Sequence, residues 1–152
     1  MHGLSAVCAL GRTGITRRKR EGDGATPVAR LHALGVLFRA DRLRRPATAL
    51  PVRAIRADDG WCDEPSDRNY NRPVRLPFAA SHEVLKRLDA VYDIVVMLDW
   101  NHRPRRPNRG SAIFLHLARA DFAPTAGCVA VTLPVMRRLL AAIDTRTVFE
   151  IG

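Results

Sequence analysis

The feature that most limits what this chain can fold into is the segment at residues 92–100, which has an unbroken aliphatic and largely β-branched run at residues 94–98. Valine and isoleucine are enriched in strands, and an unbroken apolar run of this length is typical of a strand buried on both faces. A second run of this kind follows at residues 111–118, after a basic, proline-rich loop. Two buried strands so close in sequence predict a sheet at the centre of the domain.

Shorter segments on either side of this pair predict further strands. Residues 6–30 are rich in glycine turns and residues 40–80 carry several prolines, which favours short strands joined by irregular loops. The strands expected outside the central pair are residues 31–39, 128–131 and 145–151. The fold class that this pattern predicts is mainly β, with one or two short helices.

Two segments carry helical signals. Pro134 lies near the first turn of a segment whose apolar residues recur every three or four positions, which predicts a helix. Ser81 is a suitable N-cap residue, and Glu83 would lie at the positive end of a helix dipole. A second helix is therefore expected over residues 81–91.

Length and hydropathy limit the organisation of the chain. At 152 residues it is long enough for one domain, residues 1–152, and too short to favour two. No apolar run approaches the roughly 20 residues that span a bilayer, so no membrane span is expected. The apolar stretch at residues 4–10 has no preceding basic residue and makes a poor signal peptide. We therefore expect either action in the cytoplasm or a true start upstream of Met1.

The net charge of +10 raises the question of a nucleic-acid partner. All but two of the 25 basic residues are arginines, a skew that fits a GC-rich coding sequence as well as selection for phosphate binding. Outside residues 17–20 and 103–109 the arginines are scattered, and no row of aromatic residues separates them for base stacking. Nucleic acid is therefore not the expected partner, although a basic nucleic-acid-binding module stays an alternative. A polyanionic cell wall would suit the charge equally well.

The cysteines and histidines predict neither a disulfide framework nor a metal site. Three cysteines at long spacings do not form a disulfide pattern, and no C-x-x-C pair is present. Cys8 is expected in the core and Cys62 as a packed structural thiol. His32 and His82 have no partner at metal-ligand spacing, so no metal and no cofactor are expected.

Cys128 differs from the other thiols in its surroundings. It follows Gly127, and His116 lies in the apolar strand a short turn earlier. Taken singly, each is more often a buried core residue. Because residues 118–127 contain turn formers, the chain can return and place the imidazole beside the thiol. A neighbouring imidazole makes the thiolate available, and the backbone N–H groups of Gly127 and Cys128 could approach an oxyanion. The pair predicts acyl transfer through a thioester.

Several segments together resemble a known family. Residues 111–116 (Ser-Ala-Ile-Phe-Leu-His) followed by residues 125–130 (Thr-Ala-Gly-Cys-Val-Ala) resemble the active-site segment of the L,D-transpeptidase (YkuD-like) catalytic domain. The Gly-rich Thr-Pro sequence at residues 19–27 is similar to another segment of that family. Residues 60–65 with Tyr70-Asn71 resemble one bacterial branch of it. The resemblance covers most of the chain.

This resemblance implies a β-sandwich-like catalytic fold in which Cys128 attacks a peptidoglycan stem peptide and His116 acts as the base. The acyl group then passes to an amine, which forms a cross-link, or to water, which releases a shortened peptide. It also implies location in the cell envelope, and we expect a monomer. Apart from the resemblance, the positions of four polar residues along the chain suggest them for substrate binding: Thr125, Ser111, Asn101 and Tyr70.

Two alanines depart from the family's common motif. That motif has a histidine or similar polar residue at the position of Ala126, and an arginine or asparagine at that of Ala130. The interval between His116 and Cys128 is short for the family, and the usual first strand before Cys8 is shortened. A catalytically weak or inactive relative that binds peptidoglycan is therefore a second interpretation. No acidic partner for the imidazole is evident, which leaves a backbone carbonyl as one candidate to orient it.

Overall fold

The computed structural model describes residues 5–152 and consists of short strands with one helix in that part of the chain. The strands are β1 (Ile15–Thr16), β2 (Thr26–Pro27), β3 (Ala29–Phe38), β4 (Val52–Ala54), β5 (Asp59–Cys62), β6 (Pro73–Arg75), β7 (His82–Val84), β8 (Ile94–Leu98), β9 (Phe114–Leu117), β10 (Val129–Val131) and β11 (Val148–Ile151). The helix, α1, spans Leu133–Ala142. The mainly β class predicted from the sequence is confirmed.

The strands form one large sheet and two smaller ones. The large sheet has the order β10-β9-β8-β3-β11, with β4 also paired to β3. Strand β8 is antiparallel to both of its neighbours, whereas β9 and β10 run parallel. Strands β6, β5 and β7 form a separate antiparallel sheet, and β1 pairs with β2. The two buried runs of the sequence are therefore the centre of the large sheet, as expected.

Side-chain alternation along the central strands builds two cores. Val96 faces a core shared with α1, whereas its neighbour Val95 faces a second core that includes Trp61 of the small sheet. Phe114 of β9 faces the second core and meets Trp61 edge to face at 5.1 Å. Because residues i and i+2 of a strand share a face, His116 lies on the same side as Phe114. The small sheet therefore covers the face of the large sheet that carries the imidazole.

The helix predicted near Pro134 is confirmed. Pro134 lies in the first turn of α1, where its missing N–H costs nothing, and the N–H of Met136 donates to the carbonyl of Thr132 at 2.9 Å. Met136 and Leu140 are fully buried against the large sheet. Their four-residue spacing puts both on one face of the helix, which explains why this segment folds as one.

The helix predicted over residues 81–91 is wrong. His82–Val84 form β7, and the backbone N–H of Leu85 continues the pairing by donating to Asp59 O at 3.0 Å. Leu85 is buried whereas Leu88 is 98% exposed, so the apolar residues of this segment do not share a helical face. Hydrogen bonding to a distant strand outweighs the local preference for a cap and a dipole.

The prediction that Cys8 is a core residue is also wrong. Ala9 pairs with Ala130 at the edge of β10, through backbone hydrogen bonds of 2.8 and 2.9 Å. Ala9 is buried by this pairing, and the alternation of an extended chain turns its neighbour Cys8 outward, where it is exposed.

Within residues 5–152 no helix has both the length and the apolar character needed to cross a bilayer.

Candidate active site

A groove of about 880 Å³ carries the two residues that the sequence singled out. Three segments line it, within residues 82–92, 116–119 and 123–130, and both His116 and Cys128 are among the lining residues. Both are also largely buried, with 6% and 7% of their surfaces exposed. The two residues therefore border one groove that opens to solvent.

The parallel pairing of β9 and β10 places the two residues on neighbouring strands. The pairing sets Ala130 opposite His116 and Val129 opposite Leu115, so that Cys128 immediately precedes the paired residues. The backbone N–H of Phe114 points to Cys128 Sγ at 3.4 Å. Cys128 Sγ in turn donates to the carbonyl oxygen of a residue just before β9, Ala112, at 3.1 Å. The start of β9 thus holds the thiol on one side.

The hydrogen bond of His116 defines its tautomer. Its Nδ1 lies 3.0 Å from the carbonyl oxygen of Leu117, which can only accept, so Nδ1 carries the proton and Nε2 is free to accept one. The ring of Tyr92 packs against the imidazole at 5.3 Å. Burial lowers the pKa of His116, which favours the neutral ring. A backbone carbonyl, one of the partners left open by the sequence, therefore orients the imidazole.

The thiol of Cys128 is neutral in this environment. Burial raises its pKa to about 12, and the carboxylate of Glu83 acts in the same direction. The N–H of Phe114 and the ammonium of Lys19 act against this shift. Within residues 5–152, the hydrogen bonds of Cys128 and His116 go to backbone atoms and not to each other. The structure therefore holds a neutral thiol and a neutral imidazole in one groove.

The turn before Cys128 requires glycine at position 127. Gly127 has φ of +143°, and a Cβ there would lie 2.8 Å from the carbonyl oxygen of Ala25. Thr125 Oγ1 accepts from the N–H of Gly127 at 3.1 Å and donates to the carbonyl of Cys128 at 2.7 Å. Of the two N–H groups predicted to face an oxyanion, that of Gly127 is therefore already bonded. The side chain of Thr125 closes this turn.

The Gly-rich Thr-Pro segment packs directly against the same turn. Thr26 is fully buried in β2, where its Oγ1 accepts from the N–H of Gly11 at 2.8 Å. Its hydroxyl also lies 3.5 Å from the carbonyl oxygen of Cys128. The segment at residues 19–27, identified from the sequence, thus packs through Thr26 against the backbone of the candidate nucleophile.

Three residues suggested for substrate binding lie outside the lining of this groove. Ser111 Oγ donates to the carboxylate of Glu21 at 2.8 Å, and the hydroxyl of Tyr70 donates to the same carboxylate. Tyr70 also accepts from the N–H of Gly110 at 3.0 Å, and Asn101 Nδ2 donates to the carbonyl of Gly110 at 3.0 Å. Tyr70 and Asn101 are thus bonded to the segment that leads into β9, and Ser111 belongs to that segment. Substrate contact by them stays a prediction.

Asn71 is a positioning residue that the sequence reasoning missed. Its Oδ1 accepts from Trp61 Nε1 and from the N–H of Ala112, both at 3.0 Å, and its Nδ2 donates to the carbonyls of residues 100 and 101. Ala112 has an unusual φ of +51°, and its carbonyl is the one that receives the thiol of Cys128. Asn71 therefore fixes the strained residue against which the thiol rests. The only available signal was its place beside Tyr70 in the family-like segment.

Replacing Asn71 with alanine is expected to destabilise the protein by about 2–4 kcal/mol, because four buried or partly buried backbone and indole groups would lose their partner. The measurement is the free energy of unfolding from denaturant titration. Asn69→Ala is the matched control, since the Asn69 side chain takes no part in these bonds. Equal stability of the two variants would contradict the role assigned to Asn71.

A half-buried acid in the same groove, linked to the imidazole through Tyr92, was also missed. Glu83 lines the groove, and its Oε2 accepts from the hydroxyl of Tyr92, whose ring packs on His116. The guanidinium of Arg87 lies 5.1 Å above the same ring and is held by Asp89 through hydrogen bonds of 2.8 and 2.7 Å. The prediction of a helix over this segment placed Glu83 at a solvent-facing helix end and hid its proximity to the groove.

The remaining thiol groups and acids form no second centre in the described part of the chain. Cys62 is completely buried and not disulfide-bonded, as expected of a packed structural thiol, and burial raises its pKa. Among residues 5–152, no three His, Cys, Asp or Glu side chains are placed to hold a metal ion.

The fold and the groove define a class of protein: a mainly β domain that holds a buried thiol and a neutral imidazole beside two parallel strands. The chain belongs to the family of YkuD L,D-transpeptidase catalytic domains, whose family model matches residues 3–151. The resemblance noted from the sequence is therefore confirmed over almost the whole chain. Members of this family act on peptidoglycan, typically in the cell envelope. No curated protein and no solved structure matches the chain closely enough to add to this assignment.

Proposed function

We propose that this protein is an L,D-transpeptidase that transfers acyl groups through a thioester on Cys128, with His116 as the general base. The observation that carries the proposal is the tautomer of His116. With its Nδ1 proton directed to Leu117 O, Nε2 can accept a proton in the groove that Cys128 also lines. Family membership supports a peptidoglycan stem peptide as the substrate and the cell envelope as the place of action.

In the first half-reaction, the thiol exchanges its bond to Ala112 O for one to His116 Nε2. The proton moves from sulfur to Nε2 as sulfur attacks the carbonyl carbon of the scissile bond in the stem peptide. The N–H of Cys128 is the donor of this turn available to the developing oxyanion, since that of Gly127 is bonded to Thr125. The C–N bond then breaks, and the imidazolium returns its proton to the leaving amine.

In the second half-reaction, the thioester carbon is attacked by an amine or by water. His116 Nε2 takes a proton from the attacking group, the C–S bond breaks, and the thiolate recovers the proton. The neutral resting pair suits this cycle. The pKa of the thiol is raised and that of the imidazole is lowered, so proton transfer between them is unfavourable in the free protein. The transfer becomes favourable when sulfur attacks bound substrate and the negative charge passes to the substrate's carbonyl oxygen.

The proposal is tested by exposing the wild-type protein to a carbapenem and measuring the intact mass. We expect one covalent adduct per chain, and peptide mapping should locate it on Cys128. The other two cysteines are internal controls, one exposed at position 8 and one buried at position 62. An adduct on exposed Cys8 alone, or none at all, would contradict the proposal.

The same samples separate the alternatives. Binding of purified muropeptides without an adduct would favour an inactive relative that binds peptidoglycan. Binding of DNA that weakens steeply with salt would favour the basic nucleic-acid-binding module. Turnover of a tetrapeptide-bearing muropeptide, with release of its terminal residue, supports the L,D-transpeptidase.

A further inference from the structure

Glu83 has a place in the groove that the first half-reaction does not explain. Strand β7 holds its backbone against Trp61 of β5, and its side chain lines the groove that contains Cys128. Oε2 is occupied by the hydroxyl of Tyr92. Within residues 5–152, Oε1 receives no hydrogen bond and is not sealed from solvent, so it can meet a ligand in the groove.

A negative charge at Glu83 works against the nucleophile. Burial raises the pKa of Glu83, the nearby carboxylates of Asp63 and Glu21 add to this effect, and Tyr92 and Arg87 oppose it. The charge of Glu83 in turn raises the pKa of the Cys128 thiol. An acid that made only this contribution would slow acylation.

The conflict disappears once the thioester has formed. Sulfur carries no charge in the thioester, so a carboxylate beside it does not destabilise the acyl-enzyme. The same carboxylate attracts a cation into the groove, close to the imidazole, because the ring of Tyr92 packs on His116 while its hydroxyl holds Glu83. The geometry therefore suits a group that acts on the acceptor and not on the donor.

We propose that Glu83 binds the ammonium group of an incoming primary amine and removes its first proton, which directs the acyl group to an amine in preference to water. This inference rests on the proposed function, since it concerns the second half of that reaction. Glu83 touches the acceptor in this scheme and is therefore a catalytic residue.

The acceptor enters the groove as an ammonium ion. One proton passes from the ammonium nitrogen of the acceptor to Glu83 Oε1. The acceptor is then a neutral amine, and Glu83 is a neutral carboxylic acid. The amine nitrogen attacks the thioester carbon, and its second proton passes to His116 Nε2. The C–S bond breaks, sulfur takes the proton from the imidazolium, and Glu83 releases its proton to solvent.

The test is the partition of a preformed acyl-enzyme between an added amine and water. Glu83→Gln keeps the size of the side chain and an oxygen that can accept from Tyr92, but removes the charge. We expect the ratio of aminolysis to hydrolysis to fall about 10- to 100-fold, the effect of losing one charge-assisted hydrogen bond. Glu150→Gln, an exposed change on β11, is the matched control and should leave the ratio unchanged.

Two further measurements separate catalysis from a structural effect. An uncharged acceptor such as a simple alcohol should partition equally in the wild type and in Glu83→Gln, because it carries no ammonium. Glu83→Asp keeps the charge and should retain more amine selectivity than Glu83→Gln. If Glu83→Gln forms too little acyl-enzyme to measure, the comparison of Glu83→Asp with the wild type still tests the inference.

An unchanged amine-to-water ratio in Glu83→Gln would overturn the inference, as would an equal loss for the alcohol or an equal loss in Glu83→Asp. Failure of the proposed function has a different result: the wild-type protein would form no acyl-enzyme, and no partition would be measurable in any variant.

Discussion

Cys128→Ser is expected to lower turnover of a tetrapeptide-bearing muropeptide by about 10⁴-fold or more, and to abolish the thioester. The substitution keeps the side-chain shape and a donor for Ala112 O. It replaces sulfur with an oxygen whose proton is held far more tightly, so that a single imidazole no longer generates the nucleophile. Turnover is followed by chromatography of the released products, and the adduct by intact mass.

The matched control for this change is Cys8→Ser, because Cys8 is exposed at the edge of the large sheet. This variant should turn over substrate like the wild type. The unfolding curve of Cys128→Ser should also remain close to that of the wild type. Turnover retained in Cys128→Ser would show that another group is the nucleophile.

The centre of the fold was predictable because its signals are local. Unbroken apolar runs predicted β8 and β9, and a three-and-four spacing after Pro134 predicted α1. The same local reasoning singled out His116 and Cys128, since one lies in a buried strand and the other follows a glycine turn. The parallel register of β9 and β10 then brings both residues to one groove.

The failures have a common physical cause, which is pairing with residues far away in sequence. The segment after Ser81 has the cap and charges of a helix start, but β5 offers it a strand partner. Cys8 is apolar enough for a core, but the pairing of Ala9 with Ala130 leaves the Cys8 side chain facing solvent. In both places, backbone hydrogen bonds to a distant segment decide which side chain is buried. Local propensity does not predict which distant segment will pair.

The contacts that hold the Cys128 thiol could not be predicted for the same reason. Asn71 reaches Ala112 across 41 residues of chain, and this contact fixes the carbonyl that receives the thiol. Its polar groups could equally have faced solvent or substrate. A sequence states which hydrogen bonds a side chain can make, but only the fold states which it does make.

The two alanines that depart from the family motif both line the groove. Ala130 stands directly opposite His116 in the pairing of β9 with β10, and Ala126 lies in the turn before Cys128. With small side chains at both positions, the groove beside the imidazole stays open. The charged groups that approach it come instead from the segment before β8, where Glu83 and Arg87 meet at the ring of Tyr92.

His116→Gln is expected to slow acylation by a carbapenem by about 10²- to 10⁴-fold, the usual contribution of a general base. In the wild type, the base must be neutral, and burial lowers the pKa of His116 below its usual value of 6.5. The acylation rate should therefore fall as the pH drops through that lowered pKa and be level above it. The measurement is the second-order rate of adduct formation between about pH 5 and pH 10.

The pH profile of the variant carries the decisive information. Without the imidazole, reaction requires free thiolate, and the pKa of Cys128 is raised to about 12. The rate of His116→Gln should therefore rise about tenfold per pH unit across the whole range, because each unit below the pKa increases the thiolate fraction tenfold. His82→Gln removes another imidazole from the lining of the same groove and is the matched control. A level profile in His116→Gln, or an equal loss in His82→Gln, would show that His116 is not the base that activates the thiol.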